Sequence, residues 1–308
     1  MPQVTQPTLS LLAGTAIVLV LAACGGSDEE SGSAAPGAKE APPKTAVLAV
    51  NETQPSKDRY AFEGLKAVPA GPVKVEFTTR ARDEHELQLV RIDGNHSEAE
   101  VRKILLADDA AVPDWLHAAG GVTNVRSGTG RTTTQVLPPG RYFAADDEPH
   151  GEPVPSAAER GAFAAFEVTG EAQNAELPQA TATVTATDTS DHKHAFEVSG
   201  LKTGKNTLLF KNESREELHH IVAFPLLPGR TAQDAKRFLE TQGKPSGPPP
   251  VDFENGDSTA VLDQGTEMVT TLNLRKAGDY VLICFLPDRD GKGKPHFEEG
   301  MLKQISVR

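Results

Sequence analysis

Two histidines, one cysteine and one methionine in the last third of the chain are the residues best suited to chemistry. His219 and His220 open one apolar stretch, Cys284 closes another, and His296 and Met301 follow soon after it. A thiolate, two imidazoles and a weakly binding thioether make up the donor set of a blue-copper site. The alternative interpretation of Cys284 is a small apolar side chain buried within a strand.

The beginning of the chain has the pattern of an export signal. Residues 1–23 carry no charge, and their apolar stretch, Leu9 to Ala23, is short for a membrane span. The residues around Cys24 resemble the lipobox of bacterial lipoproteins, which implies that Cys24 carries the lipid, such as palmitate; an ordinary cleaved signal is the alternative. Residues 24–44 are small and polar and predict a flexible tether. We therefore expect a lipid anchor on the extracytoplasmic face of the cell membrane.

Composition narrows the range of partners and activities. The net charge of −12 argues against binding to nucleic acid or to anionic lipid headgroups. With Cys24 acylated, Cys284 has no partner for an intramolecular disulfide, and a free thiol outside the cytoplasm is expected to be buried or bound. No hydrolase, P-loop, dinucleotide or Cys-x-x-Cys motif occurs, so we expect no enzymatic activity.

The rest of the chain consists of two copies of one unit, offset by roughly 135 residues. The segment Tyr60–Lys66 is repeated as His194–Lys202, and a Gly-x-Tyr turn that ends at Tyr142 is repeated at Tyr280. The strands that follow these segments, Val73–Thr78 and Thr207–Lys211, also match. The repeat indicates two domains of the same fold.

Each copy contains six or seven short strands rich in Val, Thr and Phe, separated by turn residues, and one short helix behind a cap, Ser97 or Thr231. This pattern predicts an all-β protein of two tandem Greek-key β-sandwiches with one inserted helix each. We place the domains at 45–170 and 178–308. The alternation of threonine with apolar residues in Thr181–Thr187 predicts an edge strand at the start of the second domain.

The repeat also compares the candidate ligands with their counterparts in the first copy. The alignment pairs His85 with His219, Asp146 with Cys284, Ala157 with His296, and Ala162 with Met301. Only the histidine is retained, so the domain 45–170 is predicted to lack metal ligands and to act in binding or scaffolding. Because a carboxylate fits poorly in a buried strand, we expect the end of the first domain at Asp146 to be open to solvent.

Taken together, residues 178–308 resemble the cupredoxins, the plastocyanin and azurin family. In that family a histidine at the start of one strand is followed by a late cluster of Cys, His and Met. The resemblance implies an all-β sandwich that transfers single electrons to a redox protein partner. It further implies a type 1 copper ion bound by His219, Cys284, His296 and Met301. Of the two adjacent histidines, His219 is preferred because it also matches His85.

The loop that carries the last two candidates is long for this family. Eleven residues separate Cys284 from His296, and the stretch Pro287–Pro295 is charged. The extra residues add little to the entropic cost of closing the loop. The sequence does not establish whether the loop closes onto the thiolate. Copper delivery or storage, and a metal-free binding module, therefore stay as alternatives. Pro287, Pro295 and Phe297 are expected to form an apolar docking rim.

Other groups are assigned plainer roles. We interpret Asp146–Glu148 with His150 as a solvated acidic loop, and His192 and His194 as exposed. His96 and His117 are taken as isolated surface residues. Trp115 is expected to cover the core of the first domain.

Overall fold

The computed structural model describes residues 44–107, 111–147, 155–172, 176–190, 193–241 and 247–308. The predicted signal, the lipidation site Cys24 and nearly all of the tether lie outside the described residues, as do Glu148, His150 and His192. Among the residues that are described, no helix is long and apolar enough to cross a membrane.

The described residues form seventeen strands, two α-helices and a 3₁₀ turn at Phe253–Asn255. The first repeat contains β1 (Ala46–Ser56), β2 (Arg59–Glu63), β3 (Val68–Pro69), β4 (Gly71–Thr79), β5 (Glu84–Ile92), α1 (Glu98–Leu105), β6 (Leu116–Arg126), β7 (Gly130–Leu137), β8 (Gly140–Ala145) and β9 (Phe163–Thr169). The second repeat contains β10 (Ala182–Ser190), β11 (Lys193–Ser199), β12 (Gly204–Asn212), β13 (Val222–Pro225), α2 (Ala232–Leu239), β14 (Asp257–Ser258), β15 (Glu267–Leu274), β16 (Gly278–Ile283) and β17 (Leu302–Val307).

Each repeat folds into two layers of strands around its own apolar core. In the first sandwich, β2-β1-β4-β7 packs against β3-β9-β8-β5-β6; in the second, β11-β10-β12-β15 packs against β14-β13-β16-β17. Alternation along the strands produces the inner faces: Val73, Val75 and Phe77 of β4 are fully buried, while the residues between them are partly exposed. The predicted all-β class is confirmed.

The inserted helices begin where the sequence predicts. Ser97 accepts a hydrogen bond from the backbone N–H of Glu100, and Thr231 accepts one from that of Asp234, each at 3.2 Å. In both cases the carboxylate reaches back to the cap residue and completes a capping box. The two helices therefore have the same start signal, as expected of a repeat.

The position of the strand β10 differs from the prediction. Thr181–Thr187 was expected to be an edge strand, which is wrong, because β10 lies between β11 and β12. The hairpin that returns from β10 places β11 on its outer side, with Asp188 opposite His194. Sequence alternation reports burial on one face of a strand and does not report how many neighbours the strand has.

The two sandwiches share one continuous sheet and belong to a single compact unit. Strand β15 of the second pairs antiparallel with β7 of the first, with Met268 opposite Gln135, so four strands from each repeat form an eight-stranded sheet. Beside this junction, Arg131 donates to both carboxylate oxygens of Asp257, at 2.6 and 3.1 Å. The domains are thus joined by backbone pairing and by an ion pair.

Candidate metal centre

Two of the candidate ligands are attached to the ends of paired strands. His219 exchanges backbone hydrogen bonds with Leu262, at 3.0 and 2.9 Å, shortly before β13 begins. Cys284 directly follows β16, and its N–H donates to the carbonyl oxygen of Met301 at 3.1 Å. Strands β13 and β16 are neighbours in one sheet, which brings the imidazole and the thiol to the same end of the sandwich.

The long loop closes onto the cysteine through its own backbone. The N–H of His296 donates to the carbonyl of Leu286 at 2.8 Å, and that of Phe297 donates to the carbonyl of Cys284 at 3.0 Å. The N–H of Met301 donates to the carbonyl of His296 at 2.8 Å. These bonds form a compact turn, so the extra residues before it do not hold His296 away from the thiol.

A glycine is required at the end of this turn. Gly300 has φ of +118°, and a Cβ atom there would lie 2.6 Å from the carbonyl oxygen of His194. Its counterpart in the first repeat, Gly161, has φ of +117° and approaches the carbonyl of Tyr60 in the same way. Only glycine fits such a conformation against a neighbouring backbone.

Three donor atoms converge in a site that is closed to solvent. The Sγ atom of Cys284 lies 3.8 Å from Nδ1 of His219 and 3.6 Å from Nδ1 of His296, and the two Nδ1 atoms are 3.1 Å apart. All three residues are 0% exposed. Ligands bound to one ion at about 2.0–2.3 Å stand at such separations. Met301, also fully buried, packs in the same apolar cluster as Cys284.

Burial sets the protonation states of these donors. It raises the pKa of the Cys284 thiol to about 12, although backbone N–H groups of His220 and Leu286 partly oppose the shift. Burial lowers the pKa of His219 to about 2 and that of His296 to about 3, and neighbouring imidazoles add to both shifts. At neutral pH the site therefore presents one protonated thiol and two neutral imidazoles.

Further polar groups surround the two imidazoles. His194 is 5% exposed, and its ring centroid lies 4.5 Å from that of His296 and 5.1 Å from that of His219. Nδ1 of His194 is 2.9 Å from the carboxylate of Asp188, while Nε2 of His296 is 3.3 Å from that of Asp288. Such contacts orient ligand rings. The expectation that His194 is exposed was wrong, because the ring folds inward over the site.

The structure separates the two adjacent histidines. His220 is only half-buried, and its Nε2 accepts a hydrogen bond from the backbone N–H of Phe285 at 3.0 Å. Burial lowers the pKa of His220 to about 4. Its ring therefore supports the end of β16, whereas His219 is the histidine that joins Cys284.

Arg289 connects the loop between Cys284 and His296 to both domains through hydrogen bonds. Its backbone N–H donates to the carboxylate of Glu217 at 2.6 Å, and its guanidinium donates to the carbonyl of Leu116 on β6 at 3.1 Å and to the carboxylate of Asp263. Asp263 in turn lies 2.9 Å from Nδ1 of His117. His117 was expected to be isolated, which is wrong, since it bridges the first sandwich to this anchor.

The apolar docking rim is not found. Phe297 is 5% exposed and packs in the core, while Pro287 and Pro295 are partly buried. A cavity of about 280 Å³ instead opens beside the site. Its lining combines the four carboxylates of Asp188, Glu216, Glu217 and Asp288 with one cation, Arg215. The surface nearest the candidate ligands is therefore acidic.

The first sandwich is closed at the corresponding position. Asp146, expected to face solvent, is 0% exposed, so that expectation was wrong. Its carboxylate lies 2.6 Å from Nδ1 of His85, which is also 2.9 Å from the carboxylate of Glu52. Burial lowers the pKa of His85, but hydrogen bonds to the two carboxylates outweigh it and raise that pKa to about 10. Pairing with the imidazole is what allows Asp146 to be buried.

No family model matches the sequence, and no curated protein matches it. Among solved structures, an auracyanin from Roseiflexus castenholzii is 24% identical over 42% of this chain and 99% of its own, with a TM-score of 0.27. The copper nitrite reductase of Nitrosomonas europaea is 11% identical over 86% of this chain and 94% of its own, with a TM-score of 0.24. A blue copper oxidase from Nitrosomonas europaea is 14% identical over 86% of each chain, with a TM-score of 0.23. Because these scores are low, the interpretation of the site rests on its own geometry.

Proposed function

We propose that the second sandwich binds one copper ion in a type 1 site and passes single electrons through it. The observation that carries this proposal is the convergence of one sulfur and two Nδ1 atoms, 3.1–3.8 Å apart, without solvent exposure. The proposed ligands are His219, Cys284 and His296, with Met301 as the weak axial donor.

Copper bound by thiolate and imidazoles supplies a one-electron couple between Cu(I) and Cu(II). The protein's contribution is to fix the donors before the ion arrives. Backbone hydrogen bonds hold His219 to Leu262 and hold the turn from His296 to Met301 against Cys284. A donor set held in this way changes little between oxidation states, and its burial excludes water as a further ligand.

The proposed route for electrons passes the imidazole of His296. Its Nε2 side faces Asp288, which lines the acidic cavity beside the site. Because carboxylates surround this opening, we propose a redox partner with a cationic docking surface, which the field of the cavity would steer toward the site.

The contacts that Arg289 makes hold the loop in place, and they favour electron transfer over copper delivery. Release of the ion to a carrier would require the loop from Pro287 to Pro295 to open. Opening would break the contacts of Arg289 with Glu217, Leu116 and Asp263. A metal-free binding module is disfavoured because burying two imidazoles beside a thiol is costly without a ligand for them.

We further propose that a lipid on Cys24 holds the protein on the outer face of the cell membrane. The support is the lipobox-like sequence before that residue. Labelled palmitate is expected to be incorporated into the protein, and replacing the acylated cysteine, Cys24→Ser, is expected to abolish the labelling. A protein with Cys24 intact that takes up no label would reject the lipid anchor.

Copper loading of the Cys24→Ser chain tests the proposed site. Addition of one equivalent of Cu(II) should produce an intense blue thiolate-to-copper charge-transfer band. The change Cys284→Ser should abolish that band while leaving the circular dichroism of the sandwiches unchanged. A colourless protein that loses copper on desalting would refute the proposal.

The neighbouring histidines provide a matched pair of variants. We expect His219→Gln to lose the blue band, because its Nδ1 lies 3.8 Å from the Cys284 sulfur. His220→Gln should retain it, because Nε2 of that ring accepts a hydrogen bond from the backbone N–H of Phe285 and is not among the converging donors. The opposite result would assign the ligand role to His220.

A further inference from the structure

The first sandwich contains a buried cluster at the position that corresponds to the candidate copper site. The N–H of Asp146 donates to the carbonyl of Ala162 at 3.1 Å. In the second sandwich the N–H of Cys284 donates to the carbonyl of Met301, also at 3.1 Å. The two residues therefore occupy the same place in their domains, with a carboxylate in one and a thiol in the other.

The third member of the cluster is a residue that the sequence comparison did not identify. Glu52 on β1 lies opposite Phe62 on β2, and Ala186 on β10 lies opposite Phe196 on β11. The two phenylalanines are the same residue of the repeated Ala-Phe-Glu segment. Glu52 therefore places a carboxylate where the second domain has a methyl group. The first domain thus combines one imidazole with two carboxylates.

The geometry of the cluster resembles that of a ligand set. His85, Glu52 and Asp146 are each 0% exposed, and one donor atom from each lies within 4.8 Å of the others. Nε2 of His85 is 2.5 Å from the carbonyl of Arg82, which leaves Nδ1 directed at the carboxylates. A histidine that binds a metal has the same arrangement, with its other ring nitrogen donating to a carbonyl.

Charge balance points to a cation in this cluster. With both carboxylates ionised, the cluster carries a net charge of −2, or of −1 when the ring is protonated, and it is neutral without a metal only if one carboxyl also holds a proton. Oε1 of Glu52 is buried and has no hydrogen-bond partner among the residues that the structure describes, while Oε2 accepts from Thr79. A buried carboxylate oxygen without a donor is costly. A divalent ion would neutralise the cluster and bind that oxygen.

We propose that Glu52, His85 and Asp146 bind a divalent transition-metal ion, for which Zn²⁺ is the best match to the donors. Nitrogen and carboxylate ligands suit Zn²⁺, whereas Ca²⁺ requires six to eight oxygens. The lack of a thiolate disfavours Cu(I). Ligands of a tetrahedral ion stand about 3.3 Å apart, so the carboxylates must withdraw from His85 by about half an ångström. This proposal does not depend on the copper site.

The competing occupant of the cluster is a proton. A protonated His85 between the two carboxylates gives the same contacts without any metal. The two occupants differ in stoichiometry and in the response to added zinc. Only the metal site takes up one ion per chain and stabilises the fold when Zn²⁺ is supplied.

Zinc content in a chain without the second site provides the test. In the Cys24→Ser chain, the changes His219→Ala, Cys284→Ser and His296→Ala remove the three converging donors of the candidate copper site. After dialysis against 10 µM Zn²⁺ we expect about one zinc per chain and a higher melting temperature. Less than about 0.1 zinc per chain, with no shift in melting temperature, would overturn the proposal and identify the cluster as a protonated ion pair.

Isosteric variants in that background test the assigned residues. Asp146→Asn preserves the shape of the side chain and should lose the zinc, with circular dichroism showing that the fold persists. The matched control Asp93→Asn alters a carboxylate that is 52% exposed, and this variant should keep the zinc. Zinc retained by Asp146→Asn would overturn the assignment.

X-ray absorption at the zinc edge gives a result that does not depend on a variant that folds poorly. In the copper-loaded Cys24→Ser chain, bound zinc should have only nitrogen and oxygen neighbours. A sulfur neighbour would place the ion beside Cys284 and overturn the proposal. A protein that binds zinc but never turns blue would refute the copper site and leave this one standing.

Discussion

The protonation states of Cys284, His219 and His296 determine how many protons a metal must displace from the proposed site. Each histidine has a pKa far below its usual value of 6.5, so neither imidazole is protonated above about pH 4. The thiol has a pKa of about 12 and stays protonated until a metal displaces its proton. One proton, and not three, is therefore displaced when a metal binds at mildly acidic pH.

We expect the apparent affinity for Cu(II) to rise about tenfold per pH unit from pH 5 to pH 8. The slope reflects the single proton that leaves Cys284. Competition with a chelator of known affinity at several pH values measures it. If the imidazoles titrated normally, the slope would steepen below pH 6.5, which would contradict the assigned pKa values. Cys284→Ser should remove the dependence.

Changes of Met301 are expected to shift the reduction potential in opposite directions. Met301→Leu removes a weak donor to Cu(II) and should raise the potential, whereas Met301→Gln offers a harder oxygen and should lower it. Both variants should remain coloured because the sulfur of Cys284 is retained. Cyclic voltammetry of the loaded proteins gives the values. Equal potentials in all three proteins would exclude Met301 as an axial ligand.

The candidate donors of the second domain stand out in the sequence because sulfur and imidazole are rare and chemically distinctive there. Glu52 was missed, although a signal was present. Glu52 continues the inward alternation of Leu48 and Val50 along β1, where a charged residue is unexpected. The error over Asp146 has a different origin, because its pairing with His85 spans 61 residues and leaves no local pattern.

Among the elements, the loop between Cys284 and His296 depends most on contacts that are distant in sequence. The backbone bonds of its turn are local, but its anchor at Arg289 uses β6 and Asp263. The length and charge of this loop left open whether it closes onto Cys284. What the composition could not reveal is that the guanidinium is only 13% exposed and neutralised by a buried carboxylate. The capped helices, by contrast, followed from a few adjacent residues.

Removal of the anchor by Arg289→Ala should speed the loss of copper to a chelator by roughly thirtyfold. The reason is that opening the loop no longer breaks charge-assisted hydrogen bonds worth about 2 kcal/mol. Bleaching of the blue band in excess chelator measures the rate. The control Lys292→Ala, in the same loop with a side chain 84% exposed, should behave as the unmodified protein. Equal rates for both variants would show that the anchor does not limit release.

At the scale of the molecule, the two sandwiches belong to one compact unit because they share a sheet. The β7–β15 pairing involves strands whose alternation is ordinary, so the sequence predicted two domains without indicating their junction. The ion pair of Arg131 and Asp257 adds to the junction, and the backbone N–H of Asn273 donates to the same carboxylate at 2.6 Å. We therefore expect the two repeats to unfold together.

Unfolding by urea should give coincident transitions from two probes. Trp115, the one tryptophan of the chain, reports on the first sandwich, and the blue band reports on the second. Asp257→Ala leaves Arg131 partly buried without its partner and should lower the free energy of unfolding by about 3 kcal/mol. The control Glu76→Ala breaks an exposed pair with Lys74 and should cost at most about 1 kcal/mol. Separate transitions for the two probes would contradict a shared body.

The segment around Leu262 has a consequence for any attempt to transplant the site. Leu262 pairs with His219 on one side and with Ala119 of β6 on the other. A gene fragment encoding only residues 178–308 would therefore leave one flank of that segment unpaired and uncover the edge of β15 that β7 now occupies. The candidate ligands lie within one continuous stretch of the gene, but the strands that support them come from both repeats. A scaffold onto which the site is grafted must therefore also contain strands that replace β6 and β7.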